Sequence, residues 1–234
     1  GGGAGEFKMG KLTWVMVLVL IFVVAFATET PQFTTVHTES SFEIRLYRPM
    51  AWMTAPILHQ SSFQHATLMG SHKLFQYIQG ANMNFSRIPL SFPVLTGIVP
   101  HSGPFESSSF TVRFYLPTAF QDTPPTPLAD LHLKAEHWDS VCVAVRKFSG
   151  FVVDENIGKE ASMLESSLRR SPWANATFGM STTIEDAYTI AQYNLPFKHR
   201  ARVNEVWVTL SGPYISDKCE ISTSTYTNEF ASTI

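Results

Sequence analysis

The stretch HKLFQYIQGANMNFSRIPLSFPV, residues 72–94, contains the change of pattern on which the fold depends. Its first part completes an apolar repeat of helical spacing, which predicts an amphipathic helix. The helix is predicted to begin at a cap supplied by Ser61 or Ser62 and to end at Gly80. After a turn rich in asparagine, residues 88–98 have the composition of a strand. A helix that leads directly into a strand indicates a helix packed on a sheet.

The rest of the first half is predicted to be strands and loops. Residues 42–53 begin with alternating apolar and polar side chains, which is typical of a half-buried strand. Residues 108–117 predict another strand, and residues 101–108 have the composition of a hairpin loop. The proline-rich residues 121–130 cannot form a helix interior or a central strand, so we interpret them as the crossover between two halves.

The second half repeats the order of the first. Residues 140–150 predict a strand, and residues 156–171 place apolar side chains on one helical face. After a loop, residues 187–194 and 203–210 predict two more strands. An internal duplication of this kind is strong evidence about architecture.

The repeat predicts an α+β fold. Specifically, we expect a distorted antiparallel β-barrel of two pseudo-repeated βα halves with the two main helices packed outside, because a helix stripe and a sheet face must bury each other. A hydrophobic groove between a helix and the barrel rim is a natural ligand site in such a fold. We expect one domain over residues 28–210 and a loosely held polar tail over residues 211–234.

The N-terminus predicts processing. Residues 1–8 are interpreted as an expression tag, and residues 9–27 as a secretory signal peptide cut before Thr28. The alternative is a membrane anchor, but the uncharged run over residues 12–27 is shorter than the roughly 20 residues of a spanning helix. We therefore expect a protein of the secretory pathway or the extracellular space with no stable membrane anchor after cleavage, and a cytoplasmic location as the alternative.

Composition and two further features bear on the partner class. The net charge of -2 gives no sign of a nucleic-acid partner. Asn84 and Asn175 each begin a glycosylation triplet. Cys142 and Cys219 could pair in an oxidising compartment, or Cys142 could be a small buried apolar residue. Both readings of the cysteines remain open from the sequence.

The sequence offers little for catalysis. It contains no G-x-S-x-G elbow, phosphate-binding loop or dinucleotide-binding glycine pattern. His65 and His72 lie seven residues apart on the first predicted helix, about 10 Å along its axis, which is too far for one small metal ion. Acidic residues near the start of the second helix, such as Asp154 and Glu155, are ordinary complements to its dipole. The sequence therefore favours binding over catalysis.

Several motifs in order resemble the SOUL haem-binding protein family. They are FEIRLYRPMAW, LFQYIQGAN, IPLSFPV, FYLPTAFQDTPPTP, VAVRKFSG and AQYNLPFKHRARVNEVW, and together they span most of residues 42–210. The resemblance implies a barrel of two βα halves, related in shape to effector-binding domains of bacterial drug-sensing regulators. It also implies that the protein binds haem or protoporphyrin and is not an enzyme.

The resemblance also implies where the ligand would bind. One wall of the groove would be Ser71, Leu74, Phe75 and Ile78 of the first helix, with His72 as the best-placed iron ligand. The other wall would be a loop, and cations near both walls could contact the propionates or simply be solvated. The loop residues are Tyr193, Leu195, Pro196 and Phe197, and the cations are Lys73, Lys198, His199, Arg200 and Arg202.

One departure from the family pattern concerns the iron. Leu90, Ser91 and Phe92 precede Pro93 and Val94 where the family commonly has Met-Thr, so a methionine sulfur is not available as a ligand. We therefore expect binding dominated by hydrophobic contact, with the iron not essential.

Three functions follow from the sequence. The leading one is a non-enzymatic carrier or buffer of tetrapyrroles, expected to act as a monomer. The second is a general binder of amphipathic planar small molecules. The third is an enzyme that modifies tetrapyrroles.

Overall fold

The computed structural model describes residues 28–58, 60–99, 109–178, 186–194, 200–212, 215 and 218–219. Within these residues, the fold contains two sixteen-residue helices, α1 (Phe63–Ile78) and α2 (Asp154–Arg169), and ten strands. Neither helix is long and apolar enough to cross a membrane. The strands are β1 (Phe33–Thr38), β2 (Glu43–Tyr47), β3 (Met50–Ile57), β4 (Val94–Val99), β5 (Ser109–Tyr115), β6 (Lys134–Trp138), β7 (Val141–Phe148), β8 (Thr177–Phe178), β9 (Tyr188–Gln192) and β10 (Asn204–Ser211).

All described strand pairs are antiparallel and belong to one curled sheet. The order is β1-β2-β7-β10-β9-β4-β5-β3-β6, and β8 pairs with β10. The α+β class, the antiparallel barrel-like sheet and its two helices are thereby confirmed.

The two halves exchange strands. β4 and β9 pair at the centre of the sheet, and the remaining strands of each half extend outward from them. However, β2 of the first half lies beside β7 of the second, and β6 of the second half lies beside β3 of the first. The proline-rich residues 121–130 lie between β5 and β6, so they connect the halves as predicted.

Helix α1 packs on β3, β4 and β5. The Ser62 side chain accepts a hydrogen bond from the backbone N–H of His65 (3.1 Å), which satisfies one unpaired donor at the helix start. Gly80 follows the helix with φ +114°, a left-handed conformation that glycine adopts without strain. Both predicted ends are confirmed.

One carboxylate joins the starts of the two helices. Asp154, the first residue of α2, accepts hydrogen bonds from the hydroxyl of Ser62 (2.8 Å) and from the backbone N–H of Phe63. A negative charge is favourable at the positive N-terminal end of a helix, and Asp154 serves both helices. The sequence predicted only its role in α2.

The face of the sheet away from the helices is also buried, which corrects the prediction for residues 42–53. These residues form two strands, β2 and β3, rather than one half-buried strand. Arg45 and Tyr47, predicted to face solvent, are 3% and 1% exposed. Tyr47 belongs to a second apolar cluster, which also contains Trp52, Tyr115, Trp138 and Trp207, and the Arg45 guanidinium donates to the Tyr47 hydroxyl.

Other boundaries differ from the sequence prediction. Only the end of residues 88–98 is strand, because two prolines cannot donate to a sheet and the Phe92–Pro93 peptide is cis. Strands β1 and β6 were not predicted, and the short strand β8 lies within residues 171–179, which were predicted to be a loop. The predicted hairpin loop over residues 101–108 lies outside the described residues, as do the segments predicted as tag and signal peptide.

Part of the predicted tail packs on the domain. Ile215 and Cys219 are 2% and 3% exposed, and a disulfide joins Cys219 to Cys142 of β7, with a Cα–Cα distance of 6.6 Å. These two residues are therefore not loosely held. The tail from residue 220 onward lies outside the described residues.

Candidate functional site: a groove beside helix α1

A groove of about 580 Å³ runs between α1 and the sheet. Its volume lies within the roughly 300–1,000 Å³ that is usual for small-molecule sites. Most of its lining is apolar, and the polar groups are amides, hydroxyls, one imidazole and one guanidinium. The lining residues are Phe63, Gln64, Thr67, Leu68, Ser71, His72, Phe75, Leu90, Phe92, Val94, Phe114, Val152, Gln192, Asn194 and Arg202.

Helix α1 supplies the groove wall through a second face. Its core face includes Ala66, Gly70 and Leu74, which recur at helical spacing and are buried against the sheet. Leu68 and Phe75 lie two turns apart on the neighbouring face, where they are 68% and 52% exposed. The helix therefore has exposed apolar side chains in addition to those that pack against the sheet.

The segment before β4 also lines the groove, and two backbone carbonyl groups hold it in place. The N–H of Phe92 donates to the carbonyl oxygen of Glu29 (3.2 Å). The hydroxyl of Ser91, which is buried, donates to the carbonyl oxygen of Tyr115. Leu90 and Phe92 are thereby held against the groove without belonging to a strand.

One end of the groove carries a positive charge. Arg202 is 7% exposed, and its guanidinium carbon lies 4.9 Å from the ring centroid of Phe151, a cation–π distance. Nearby, the side chain of Asn194 accepts a hydrogen bond from the N–H of Val203 (2.7 Å), which orders the approach to β10. A cation bordered by apolar walls favours the binding of an anionic group.

The profile of one protein family, described as SOUL heme-binding protein, matches residues 28–209. The chain belongs to the SOUL haem-binding family. It is similar to Heme-binding protein 2 of Homo sapiens, with 34% identity over 169 residues, 72% of this chain and 77% of the relative. Heme-binding protein 1 of Sus scrofa is 27% identical over 136 residues, 58% of this chain and 67% of the relative.

Solved structures give a more distant likeness. An uncharacterized conserved protein from Listeria innocua aligns with a TM-score of 0.49 and 10% identity, over 74% of this chain and 93% of that protein. This likeness is too distant for an inference about the ligand.

The groove of this SOUL chain contains some of the residues expected from the family motifs. Ser71, His72, Phe75 and Arg202 line it. Leu74 and Ile78 lie in the core instead, 0% and 3% exposed, because their helical positions face the sheet. The hydroxyl of Tyr193 donates to a carboxylate oxygen of Glu205 (2.8 Å) on the other face of the sheet. Leu195, Pro196, Phe197, Lys198 and His199 lie outside the described residues.

Most of the residues that line the groove were not predicted from the sequence. Thr67 and Leu68 could have been found from their spacing to Ser71 and Phe75 on α1. Phe114, Val152 and Gln192 had no such signal, since only the folded sheet brings them to α1.

Two ionic clusters on the other face of the sheet have shifted pKa values. In the first, burial raises the pKa of Tyr47 and of Tyr193, which surround Glu205 and Arg45. In the second, Glu136 and Asp186 share the guanidinium of Arg113.

The two carboxylates of the second cluster differ. For Glu136, burial opposes ionisation, but Arg113 outweighs it and lowers the pKa. Burial prevails at Asp186 and raises its pKa. Neither cluster lines the groove.

The remaining predicted sites are surface or metal sites. Asn84 and Asn175 are both exposed, as a glycan acceptor must be, and their glycosylation stays a prediction. Within the described part of the chain, no cluster of three or more His, Cys, Asp or Glu side chains could hold a metal ion.

Proposed function

We propose that this protein binds haem or metal-free protoporphyrin in the groove and carries or buffers the tetrapyrrole without converting it. The observation that carries the proposal is the largely apolar groove beside α1 in a chain of a haem-binding family. The carrier role is supported by the relatives, which are named for binding.

The lining suits the two chemical parts of a tetrapyrrole. The flat macrocycle needs apolar and aromatic contacts, which Phe75 of α1 and Phe92 of the segment before β4 can provide. The propionates need cations, and Arg202 lies at one end of the same groove. Hydrophobic contact would then supply most of the affinity, and the carboxylates would set the orientation.

His72 is the groove residue that could contact iron. It lies on the exposed face of α1 and lines the groove, so its imidazole can reach a ligand there. A neutral imidazole is a suitable axial ligand for haem iron. We propose that this contact, where it forms, adds to an affinity that does not depend on iron.

The second candidate function is general binding of amphipathic planar molecules. It is favoured by the mixture of apolar and amide side chains in the groove, since Gln64, Gln192 and Asn194 can accept or donate hydrogen bonds to many ligands. Competition between protoporphyrin and unrelated planar hydrophobic molecules would support it. Failure of every such competitor would exclude it.

Titration of the chain from Thr28 onward with haem and with protoporphyrin tests the leading proposal. We expect saturable shifts of the Soret band with comparable affinity for both ligands. Phe75→Ala should weaken both by about ten-fold, because a half-exposed aromatic side chain contributes about 1.4 kcal/mol of apolar contact. His72→Ala should weaken haem alone, and only modestly.

Matched controls separate the groove from general effects on α1. His65→Ala removes another exposed histidine of α1, and Phe85→Ala removes an exposed phenylalanine just beyond the helix; neither lines the groove, so both variants should bind as wild type does. Absence of any saturable shift would contradict the proposal. Bleaching of bound haem over hours with reductant and oxygen would instead indicate a ring-opening enzyme.

A further inference from the structure

Charge is distributed unevenly along the chain. Residues 60–99 include no Asp or Glu, although the protein has 19 acidic residues in total. The same forty positions include Lys73, Arg87, His65 and His72. They form α1, the turn after it and part of the groove lining, so this segment contributes positive and no negative side chains to the surface, and the Asp154 carboxylate lies at the N-terminal end of α1, away from the turn.

The same segment exposes large apolar side chains. Single exposed apolar residues are normal on a protein surface, whereas a concentration of them marks an interaction site. Within 18 consecutive residues, five large apolar side chains are between 37% and 83% exposed. They are Leu68, Met69 and Phe75 of α1, and Met83 and Phe85 of the following turn.

The turn after α1 holds its two apolar side chains outward. Phe85 is 83% exposed and has φ 51°, a left-handed conformation that is uncommon for a bulky residue. The buried amide of Asn82 fixes the turn: it donates to the carbonyl oxygen of Ser86 (2.8 Å) and accepts from the N–H of Ser86 (3.0 Å). The N–H of Met83 donates to the carbonyl oxygen of Thr126 (2.8 Å). A rigid frame therefore presents Met83 and Phe85 to solvent.

We propose that this surface docks on an anionic phospholipid bilayer. The docking surface comprises the apolar residues Leu68, Met69, Phe75, Met83 and Phe85 with the cations Lys73 and Arg87. Interfacial binding needs apolar side chains that enter the headgroup region and basic side chains that attract anionic lipid, with no acidic residues to repel it. The segment meets these three requirements, and its charge favours a lipid surface over a neutral protein partner.

Vesicle co-sedimentation tests the proposal. The chain from Thr28 onward is suitable, because both helices and all ten described strands follow that residue. We expect binding to phosphatidylcholine vesicles with about 30% phosphatidylserine, weakened by salt and by omission of the anionic lipid. Combining Met83→Gln with Phe85→Asn should reduce binding about ten-fold, since asparagine tolerates the left-handed backbone. Arg87→Gln should reduce it about five-fold.

Leu58→Gln is the matched control. Leu58 is 60% exposed but lies before α1, at the opposite end of the helix from the turn, so its substitution should leave vesicle binding unchanged. Met83 and Phe85 do not line the groove, so their substitution should also leave tetrapyrrole titration unchanged. Failure of membrane docking is therefore distinguishable from failure of the proposed function.

Three results would overturn the proposal. They are absence of wild-type binding to the anionic vesicles, an equal loss in Leu58→Gln, and a concentration-dependent dimer that the double substitution abolishes. The predicted glycan on Asn84 provides one more test, because Asn84 lies between Met83 and Phe85. Glycosylated chain should stay in the supernatant, and its sedimentation with the vesicles would contradict contact through the turn.

Discussion

Glu205 accepts four hydrogen bonds on the face of the sheet away from the helices. Its carboxylate accepts hydrogen bonds from both terminal nitrogens of the Arg45 guanidinium (3.1 and 2.9 Å). It also accepts from the hydroxyl of Tyr193 and the indole of Trp207, both at 2.8 Å. A buried ion pair with its remaining lone pairs satisfied is costly to break on one side only, because the other charge is left unpaired.

Glu205→Gln should therefore lower the free energy of unfolding by about 3 kcal/mol, measured by urea denaturation. Glu43→Gln is the control, since Glu43 also contacts Arg45 but its side chain is 24% exposed and contacts the exposed Lys147. That substitution should cost about 1 kcal/mol or less. Equal losses in the two variants would show that Glu205 has no special role in the cluster.

At the scale of residues, the sequence predicts which side chains share a helix face, because this depends only on their spacing along the chain. Ser71, His72 and Phe75 line the groove, and their contact with a ligand stays a prediction. The Arg45–Glu205 pair was not predicted, because 160 residues separate its members and no local pattern relates them. Leu74 was assigned to the groove although it faces the sheet, since the family motif does not distinguish the two adjacent faces of one helix.

Among the elements, α1 lies close against the sheet at Gly70. A Cβ added there would lie 2.4 Å from Val112 Cγ2, closer than packed carbon atoms approach. Val112 is in the middle of β5 and fully buried, so it has little room to move. The absence of a side chain at Gly70 therefore sets how near α1, and with it one groove wall, lies to the sheet.

Gly70→Ala should destabilise the protein by about 1–3 kcal/mol through overpacking, despite the higher helix propensity of alanine. Gly158→Ala in α2 is the matched substitution, because nothing lies within 4 Å of its added Cβ. It should stabilise the protein by up to about 1 kcal/mol. Thermal or urea unfolding of both variants measures the difference, and stabilisation by Gly70→Ala would contradict this account of the packing.

The helices were the most predictable elements. Both were expected from apolar spacing, and Ser62 and Gly80 delimit α1 as expected. The strands were predicted less well, because a strand depends on pairing with residues that are distant in sequence. Two prolines shorten the predicted strand at residues 88–98. Among the described strands, β1 and β6 each pair with one neighbour and lack a strong alternating pattern, so their sequences carry no clear signal.

At the scale of the molecule, one covalent bond links the C-terminal residues to the sheet. Cys142 and Cys219 are 77 residues apart in sequence, and closing a loop of that length restricts the unfolded chain. We expect reduction to lower the free energy of unfolding by up to about 4 kcal/mol, measured by urea denaturation with and without reductant.

The double variant Cys142→Ala/Cys219→Ala is the control for reduction. It should unfold at the urea concentration of the reduced wild type and should not respond to reductant. An identical midpoint for oxidised and reduced wild type would contradict the prediction. The sequence left this pairing open, because two distant cysteines cannot be joined without knowledge of the fold.

The exchange of β2 and β6 between the halves bears on the origin of the duplication. In the first half, β2 and β3 do not pair with each other: β2 pairs with β7 and β3 pairs with β6 of the second half. Without the second half, β2 and β3 would therefore each have an unpaired edge. Two copies of such a half could pair these edges by exchanging their outer strands, as β2 and β6 are exchanged here. The architecture is that of a strand-swapped dimer whose subunits have been fused into one chain, with the proline-rich residues 121–130 as the joint.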